Sequence, residues 1–149
     1  MRGTYRSVAA LGVIGMFALA GCSNVGKPTP YRADYDQVWS GYGSRVSELG
    51  ENKFSIFNHA SPISPAQLPA DHNLLRAAQL AKEKGFSAFR ILEDKRGRQI
   101  GAVSVGGVGG SINKPQAMLV VELVDEVPDP PLVLSADDVI ARLGPVYLK

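Results

Sequence analysis

The stretch Leu74–Phe89, LLRAAQLAKEKGFSAF, decides the fold, because it holds a helix, the end of that helix and the start of a strand. Leucine and alanine recur in it at the three- and four-residue spacing of one helix face. Lys82 and Lys84 occupy the last turn, where positive charge favours the helix dipole, and Gly85 is the residue type that commonly ends a helix. With Asp71 as the candidate N-cap, we predict a helix from Asp71 to Lys84 followed by a strand.

Strand patterns lie on both sides of this helix. Before it, Gly41–Leu49 and Lys53–His59 predict two strands joined by a turn at Gly50-Glu51-Asn52. After it, three further strands are predicted, with a turn at 94–97 and a glycine-rich connection at 106–110 between them: Phe86–Glu93, Arg98–Val105 and Ala117–Val127. The last of these, with its MLVVELV core, is the strongest strand pattern in the chain.

A short second helix is predicted near the end of the sequence. Ser135 is its N-cap, the acidic residues Asp137 and Asp138 occupy its first turn, and Gly144-Pro145 is its expected end. The resulting order, β-β-α-β-β-β-α, predicts a single α+β domain over residues 34–149. In that domain an antiparallel-rich sheet carries the main helix on one face.

The first 22 residues have the organisation of an exported precursor. Arg2 and Arg6 precede an uncharged run from Val8 to Gly21, which is shorter than the roughly 20 residues that a spanning helix needs. This run ends in Leu19-Ala20-Gly21-Cys22, which resembles the lipobox of bacterial lipoproteins. The resemblance implies a signal peptide over residues 1–21, cleavage before Cys22, and acylation of the sulfur and the new amino group of Cys22. A plain secretory signal with a stray cysteine, or a buried cysteine in an apolar helix, is the alternative.

The residues that follow Cys22 predict how the protein is attached. Residues 22–33 are rich in proline, glycine and small polar residues, so we expect the lipidated cysteine and a flexible tether there. Several acyl chains hold a protein on a membrane stably, whereas one chain binds marginally. Ser23, which stands where aspartate would favour retention, predicts the outer membrane, facing the periplasm.

Charge and cysteine content exclude several function classes. The formal net charge is +2, and Arg2 and Arg6 account for it. The mature chain is therefore neutral, and we expect no nucleic-acid partner. Since Cys22 is the only cysteine, the chain has no intramolecular disulfide and no cysteine zinc cluster.

Part of the chain, from Pro28 to Ile91, resembles a family of small proteobacterial lipoproteins of unknown function. The likeness is carried by Thr29-Pro30-Tyr31, by Gly41-Tyr42-Gly43, and by the helix-to-strand motif from Leu74 to Phe89. The chain departs from the family in having Phe86 where a tyrosine is usual, and in its proline-rich loop from Asn58 to Ala70. Beyond lipidation, the resemblance implies no activity, ligand or catalytic residue.

Four aromatic residues lie close together after the tether begins: Tyr31, Tyr35, Trp39 and Tyr42. One interpretation is that Trp39 and Tyr42 belong to the first strand and cover the sheet. The other is that Tyr35, Trp39 and Tyr42 form a surface for an envelope partner, or lie at the lipid headgroup level, where tryptophan and tyrosine are favoured.

No residue pattern predicts a catalytic or metal site, and we expect no cofactor. Residues 106–110 are glycine-rich, but a strand pattern follows them and no Lys-Ser/Thr pair closes them, so a hairpin connection is expected instead of a phosphate loop. His59 and His72 lack further candidate ligands, and we expect His72 to be solvated in the first turn of the helix. The acidic residues near strand ends and the basic turn Lys95–Arg98 are expected to be solvated charges.

The function favoured by these patterns is that of a membrane-anchored envelope lipoprotein with a structural or protein-interaction role and no enzymatic activity. A small-ligand or ion-binding envelope sensor, with Gly106–Gly110 as a lid, is the alternative. A cell-wall or lipid hydrolase is a third possibility, for which no suitable residue pair is found.

Overall fold

The computed structural model describes residues 28–33, 36–37, 42–125 and 133–149. The strands and helices in these parts of the chain are β1 (Asp36–Gln37), β2 (Tyr42–Gly50), β3 (Lys53–His59), α1 (Leu68–Glu83), β4 (Ala88–Val105), β5 (Val108–Val124), β6 (Val133–Ser135) and α2 (Ala136–Tyr147). The strands form one sheet in the order β1-β2-β3-β5-β4-β6, and every neighbouring pair is antiparallel. The predicted α+β class, with an antiparallel sheet and a helix packed on it, is confirmed.

One face of the sheet forms the core together with the helices. Burial alternates along β3 and β5, so that Phe54 and Ile56 are buried opposite Val121 and Leu119. Because side chains at alternate positions of a strand share a face, these residues present one apolar surface. The helices complete the core with residues that are all buried: Leu75, Ala77, Ala78, Leu80, Ala81, Ala136, Val139 and Leu143.

The helix α1 ends where the sequence predicts and begins earlier. At its end Gly85 has a φ of 86°, and the Phe86 amide donates to the Ala81 carbonyl at 2.8 Å, as glycine-terminated helices do. At its start the predicted N-cap Asp71 is wrong, because the helix begins at Leu68 and Asp71 lies in the first turn. Pro69 permits the earlier start, since the first helical positions lack an intrahelical partner for their amide in any case.

The predicted turn at Asp94–Gly97 is also wrong, because Ala88–Val105 forms one strand that pairs with β5 at both ends and across residues 94–97, with an irregularity in register between Ile91 and Glu93. Its charged residues make ion pairs along this strand. Arg96 contacts Asp94 at 2.7 Å, and Lys95 contacts Glu93. Positions two apart share a face of a strand, so these alternating opposite charges are compatible with extended backbone. The continuous partner strand outweighs the local preference of such a sequence for a turn.

The connection between β4 and β5 is shorter than predicted. Gly106 and Gly107, with φ of 59° and 82°, form a two-residue turn, and Gly109 and Gly110 already lie in β5. Turns of this length need positive φ, which glycine adopts without strain. The hairpin is therefore tight at its tip, and β5 begins nine residues before the predicted start at Ala117.

The helix α2 begins as predicted and ends later. The Ser135 hydroxyl accepts a hydrogen bond from the Asp138 amide, which confirms the N-cap. The predicted end at Gly144-Pro145 is wrong, since the helix continues through Pro145 to Tyr147. Proline removes one backbone hydrogen bond from the helix, and the contacts of the Tyr147 side chain hold the last turn in place.

Candidate functional site

Most of the residues expected to carry function lie outside the described residues. This holds for the lipobox residues Leu19, Ala20 and Gly21 and for the lipidation site Cys22. It holds as well for two members of the aromatic surface, Tyr35 and Trp39. The third member, Tyr42, begins β2 and pairs with Gln37, and only its backbone is among the described atoms.

The end of the predicted tether is bound to the domain. Thr29 is buried, its amide donates to the Ser64 hydroxyl at 3.0 Å, and its own hydroxyl accepts from the Ser61 amide at 2.8 Å. The expectation that the tether extends to Ala33 is therefore corrected, because hydrogen bonding to the loop after β3 fixes the chain from Thr29. The binding surface is the loop of residues 60–67, between β3 and α1.

Tyr31 makes a second contact between the linker and the domain. Its hydroxyl donates to the Gln79 side-chain oxygen at 2.5 Å, which fixes the linker to the middle of α1. Its ring packs edge-on against the imidazole of His72, with the ring centres 5.2 Å apart. Edge-to-face pairs of this kind add to the stabilisation that burial alone provides.

The other side of His72 is covered by Tyr147 from the last turn of α2. The ring centres are 4.8 Å apart at an interplanar angle of 89°, and the Tyr147 hydroxyl donates to the Asp71 carboxylate at 2.8 Å. Burial, and then the hydrogen bond to Asp71, raise the pKa of Tyr147 to about 12. Tyr147 therefore remains protonated and a donor at neutral pH. Tyr31, His72 and Tyr147 together are called the tyrosine–histidine cluster below.

The expectation that His72 is solvated is wrong. Its side chain is 1% exposed, because the linker and α2 cover the first turn of α1. Burial lowers the pKa of His72 to about 4, and the neighbouring Asp71 carboxylate opposes this shift only in part. The imidazole is therefore neutral at pH 7. Among the described residues its Nε2 atom has no hydrogen-bond partner.

The two histidines do not form a joint site. His59 lies on the sheet face opposite the core, where its ring contacts Phe57 at 5.5 Å between centres, whereas His72 is buried on the helix side. Within the described ranges, no three His, Cys, Asp or Glu side chains are grouped closely enough to hold a metal ion.

Charged residues on the sheet and the glycine-rich segment at 106–110 are part of the structure of the sheet. Glu122 lies between Arg90, at 3.1 Å, and Lys53, at 3.9 Å, on the face away from the helices. The glycine-rich segment is the tip of the β4–β5 hairpin, as the hairpin interpretation predicts. Residues 106–110 are exposed.

Over the described part of the chain, no helix combines the length and the apolar character that crossing a bilayer requires. Comparison with known proteins gives no match to a protein-family model, a curated protein or a solved structure. The resemblance to small proteobacterial lipoproteins therefore stays a prediction.

Sequence reasoning missed the residues that join the linker to the helices. The sequence distinguishes Thr29-Pro30-Tyr31 only by its resemblance and not by contacts, and it assigns no role to Tyr147. The available signal was the pairing of Asp71 with His72 on a helix otherwise lined by alanine and leucine. A histidine and a carboxylate at the border of an apolar face need polar or aromatic partners from elsewhere in the chain.

Proposed function

We propose that this protein is a lipid-anchored component of the bacterial envelope, attached through acyl chains on Cys22, whose domain has a structural or protein-interaction role and no enzymatic activity. The observation that carries the proposal is the binding of Thr29 to the loop after β3. A chain that runs directly from an acylated cysteine into the domain is the arrangement expected of a domain held close to a membrane.

The length of the free linker sets how close the domain is held. Thr29 is seven positions after Cys22, and this segment spans at most about 25 Å when fully extended. With Thr29 hydrogen-bonded to Ser61 and Ser64, this part of the domain surface remains within that distance of the acylated residue. A linker that was free as far as Ala33 would extend about 14 Å farther.

The tyrosine–histidine cluster supports a structural role for this region. The imidazole of His72 is neutral and is covered on both sides by tyrosine rings. A side chain enclosed in this way packs the linker and α2 against α1. The cluster is thus suited to holding the linker and not to transferring protons. We propose that Tyr35, Trp39 and Tyr42, which follow the bound linker in the sequence, form the surface for an envelope protein partner.

The attachment is tested by labelling cells with radioactive palmitate and separating membranes from soluble protein. The wild-type chain is expected to take up the label and to sediment with outer membranes, facing the periplasm. The Cys22→Ser variant is expected to take up none, because a hydroxyl is a weaker nucleophile than a thiolate. Ser23→Ala is the matched control and should be labelled as the wild type is. Label in Cys22→Ser would refute the proposal.

The interaction role needs a separate experiment. After mild crosslinking in intact cells, a protein partner is expected to co-purify with the wild type, and this product should be lost in a Trp39→Ala, Tyr42→Ala double variant. A variant at the far end of β2, Leu49→Ala, changes a side chain that is 59% exposed and should keep the product. Equal crosslinking in both variants would exclude the aromatic residues as the partner surface.

A further inference from the structure

The distal half of the β4–β5 hairpin stands apart from the rest of the sheet. The strand β3 pairs with β5 only as far as Gln116, and β6 pairs with β4 only from Ala88 to Arg90. From the pair Arg98–Pro115 to the pair Val105–Val108 no other strand among the described residues pairs with either of the two. This two-stranded segment, residues 98–115, is called the ribbon. At the usual rise per residue it is about 24 Å long.

The ribbon is uncharged over most of its length and exposes one large apolar side chain on each face. From Gln99 to Asn113 the sequence has no charged residue. Ile100 is 74% exposed and Val108 is 76% exposed. These two residues lie on opposite faces. Val108 pairs with Val105, and paired residues share a face. Position 105 is an odd number of residues from position 100, so it lies on the face opposite Ile100. Docking on one flat protein surface would cover only one of these side chains, whereas a medium that surrounds the ribbon covers both.

Positive charge is placed at the base of the ribbon. Arg98 and Lys114 are its only charged residues, and no acidic residue lies between them. Apolar residues that project beyond basic ones are typical of segments that enter the lipid headgroup region, with the basic side chains near the phosphates.

The base of the ribbon lies beside the point where the linker is bound. Thr29 accepts from the Ser61 amide, and the preceding residue, Ala60, donates its amide to the Pro115 carbonyl at 2.9 Å. Pro115 is the first ribbon residue of β5 beyond the end of β3. The bound residue Thr29 and the base of the ribbon therefore lie at the same end of the sheet. The reach of the linker from Thr29 to Cys22, about 25 Å, matches the length of the ribbon.

We propose that the ribbon is immersed in the headgroup region of the membrane that holds the acyl chains, as a second lipid contact of the domain. This inference rests on the proposed lipid anchor at Cys22. Immersion at the headgroup level, and not deeper, follows from the open edges of a two-stranded ribbon. Their backbone groups need water or headgroups as partners, which the hydrocarbon region does not supply.

The test uses the full-length protein purified from membranes and reconstituted into vesicles of phosphatidylethanolamine and phosphatidylglycerol. Ile100→Cys and Val108→Cys are each labelled with an environment-sensitive thiol fluorophore. Leu49→Cys is the matched control, because Leu49 is an exposed apolar residue at the opposite end of the sheet. Thermal melting of the three variants should match that of the wild type, since all three side chains are exposed.

The probes at positions 100 and 108 are expected to shift to shorter wavelength with vesicles and to be quenched by a spin label near the headgroups. The probe at position 49 should do neither. If the probes at positions 100 and 108 showed neither the wavelength shift nor the quenching, the proposal would be overturned. Vesicle-independent crosslinking of position 100 between two copies would also overturn it, since a second chain would then be the occupant. If the wild-type protein reacted with the thiol fluorophore, Cys22 would not be acylated. This result would refute the lipid anchor independently of the probes on the ribbon.

Discussion

The hydroxyl of Tyr147 donates a hydrogen bond to the Asp71 carboxylate at 2.8 Å, and this bond joins the last turn of α2 to the first turn of α1. The same tyrosine ring covers His72, whose other side is covered by Tyr31 from the linker. One small cluster therefore connects the linker, the first helix and the end of the chain. The stability of the domain should depend on each of these connections.

Tyr147→Phe should lower the free energy of unfolding by about 1 to 2 kcal/mol, because it removes a hydrogen bond to a charged group and keeps the ring on His72. Urea unfolding of the purified domain measures this change. Val146→Ala is the control, since Val146 is 59% exposed and its replacement should alter stability by less than about 0.5 kcal/mol. Equal stability of Tyr147→Phe and the wild type would show that the bond to Asp71 contributes nothing.

The burial of His72 predicts a loss of stability in mild acid. The unfolded chain binds a proton at this residue near pH 6.5, and the folded chain does so only near pH 4. The contribution of neutral His72 is therefore fully present above pH 6.5 and is lost as the pH falls from 6.5 towards 4. The difference between these two pKa values corresponds to about 3 kcal/mol in the free energy of unfolding.

The measurement is urea unfolding at several values between pH 7 and pH 4, on the wild type and on His72→Phe. The phenylalanine variant retains an aromatic ring between Tyr31 and Tyr147 and has no group that titrates in this range. Its stability should fall less steeply over the same interval. Identical pH profiles would mean that His72 is accessible to protons in the folded domain.

The contacts of the linker predict where the stable domain begins. A chain that starts at Pro28 retains Thr29 and Tyr31, whereas a chain that starts at Asp34 loses both. We expect the shorter chain to fold and to be less stable by at least about 2 kcal/mol. The loss arises from the hydrogen bonds of Thr29 and the partial burial of the Tyr31 ring. Coincident denaturation curves for the two chains would show that residues 28–33 belong to the tether and do not stabilise the domain.

Ala78→Asp should destabilise the domain by several kcal/mol, because Ala78 is fully buried in the core cluster and the substitution buries an unpaired charge. Ala141→Asp, at an exposed position of α2, is the matched control and should cost about 0.5 kcal/mol. Melting of Ala78→Asp near the wild-type temperature would contradict the packing of α1 described above.

Local patterns in the sequence predicted the elements with strong periodicity or a clear end signal, and they failed where distant parts of the chain decide the outcome. The end of α1 at Gly85 and the N-cap at Ser135 depend on nearby backbone groups, so both could be read from the sequence. The turn expected at Asp94–Gly97 has suitable residues, but the pairing of β4 with β5 determines that segment.

The candidate site shows the same limit. The residues next to His72 in the sequence predict that the start of α1 is solvated. Tyr31 lies 41 positions before His72, and Tyr147 lies 75 positions after it. Nothing in the local sequence indicates that two such distant tyrosines cover one imidazole, so the burial of His72 could be learned only from the fold.

Both the proposed anchor and the proposed lipid contact of the ribbon require that Cys22 becomes the acylated first residue of the mature chain. The most direct measurement is the intact mass of the protein extracted from membranes by detergent. We predict the mass of residues 22–149 plus a diacylglyceryl group on the sulfur and a third acyl chain on the amino group. A mass equal to residues 1–149, or to any unmodified shorter chain, would contradict the lipid anchor.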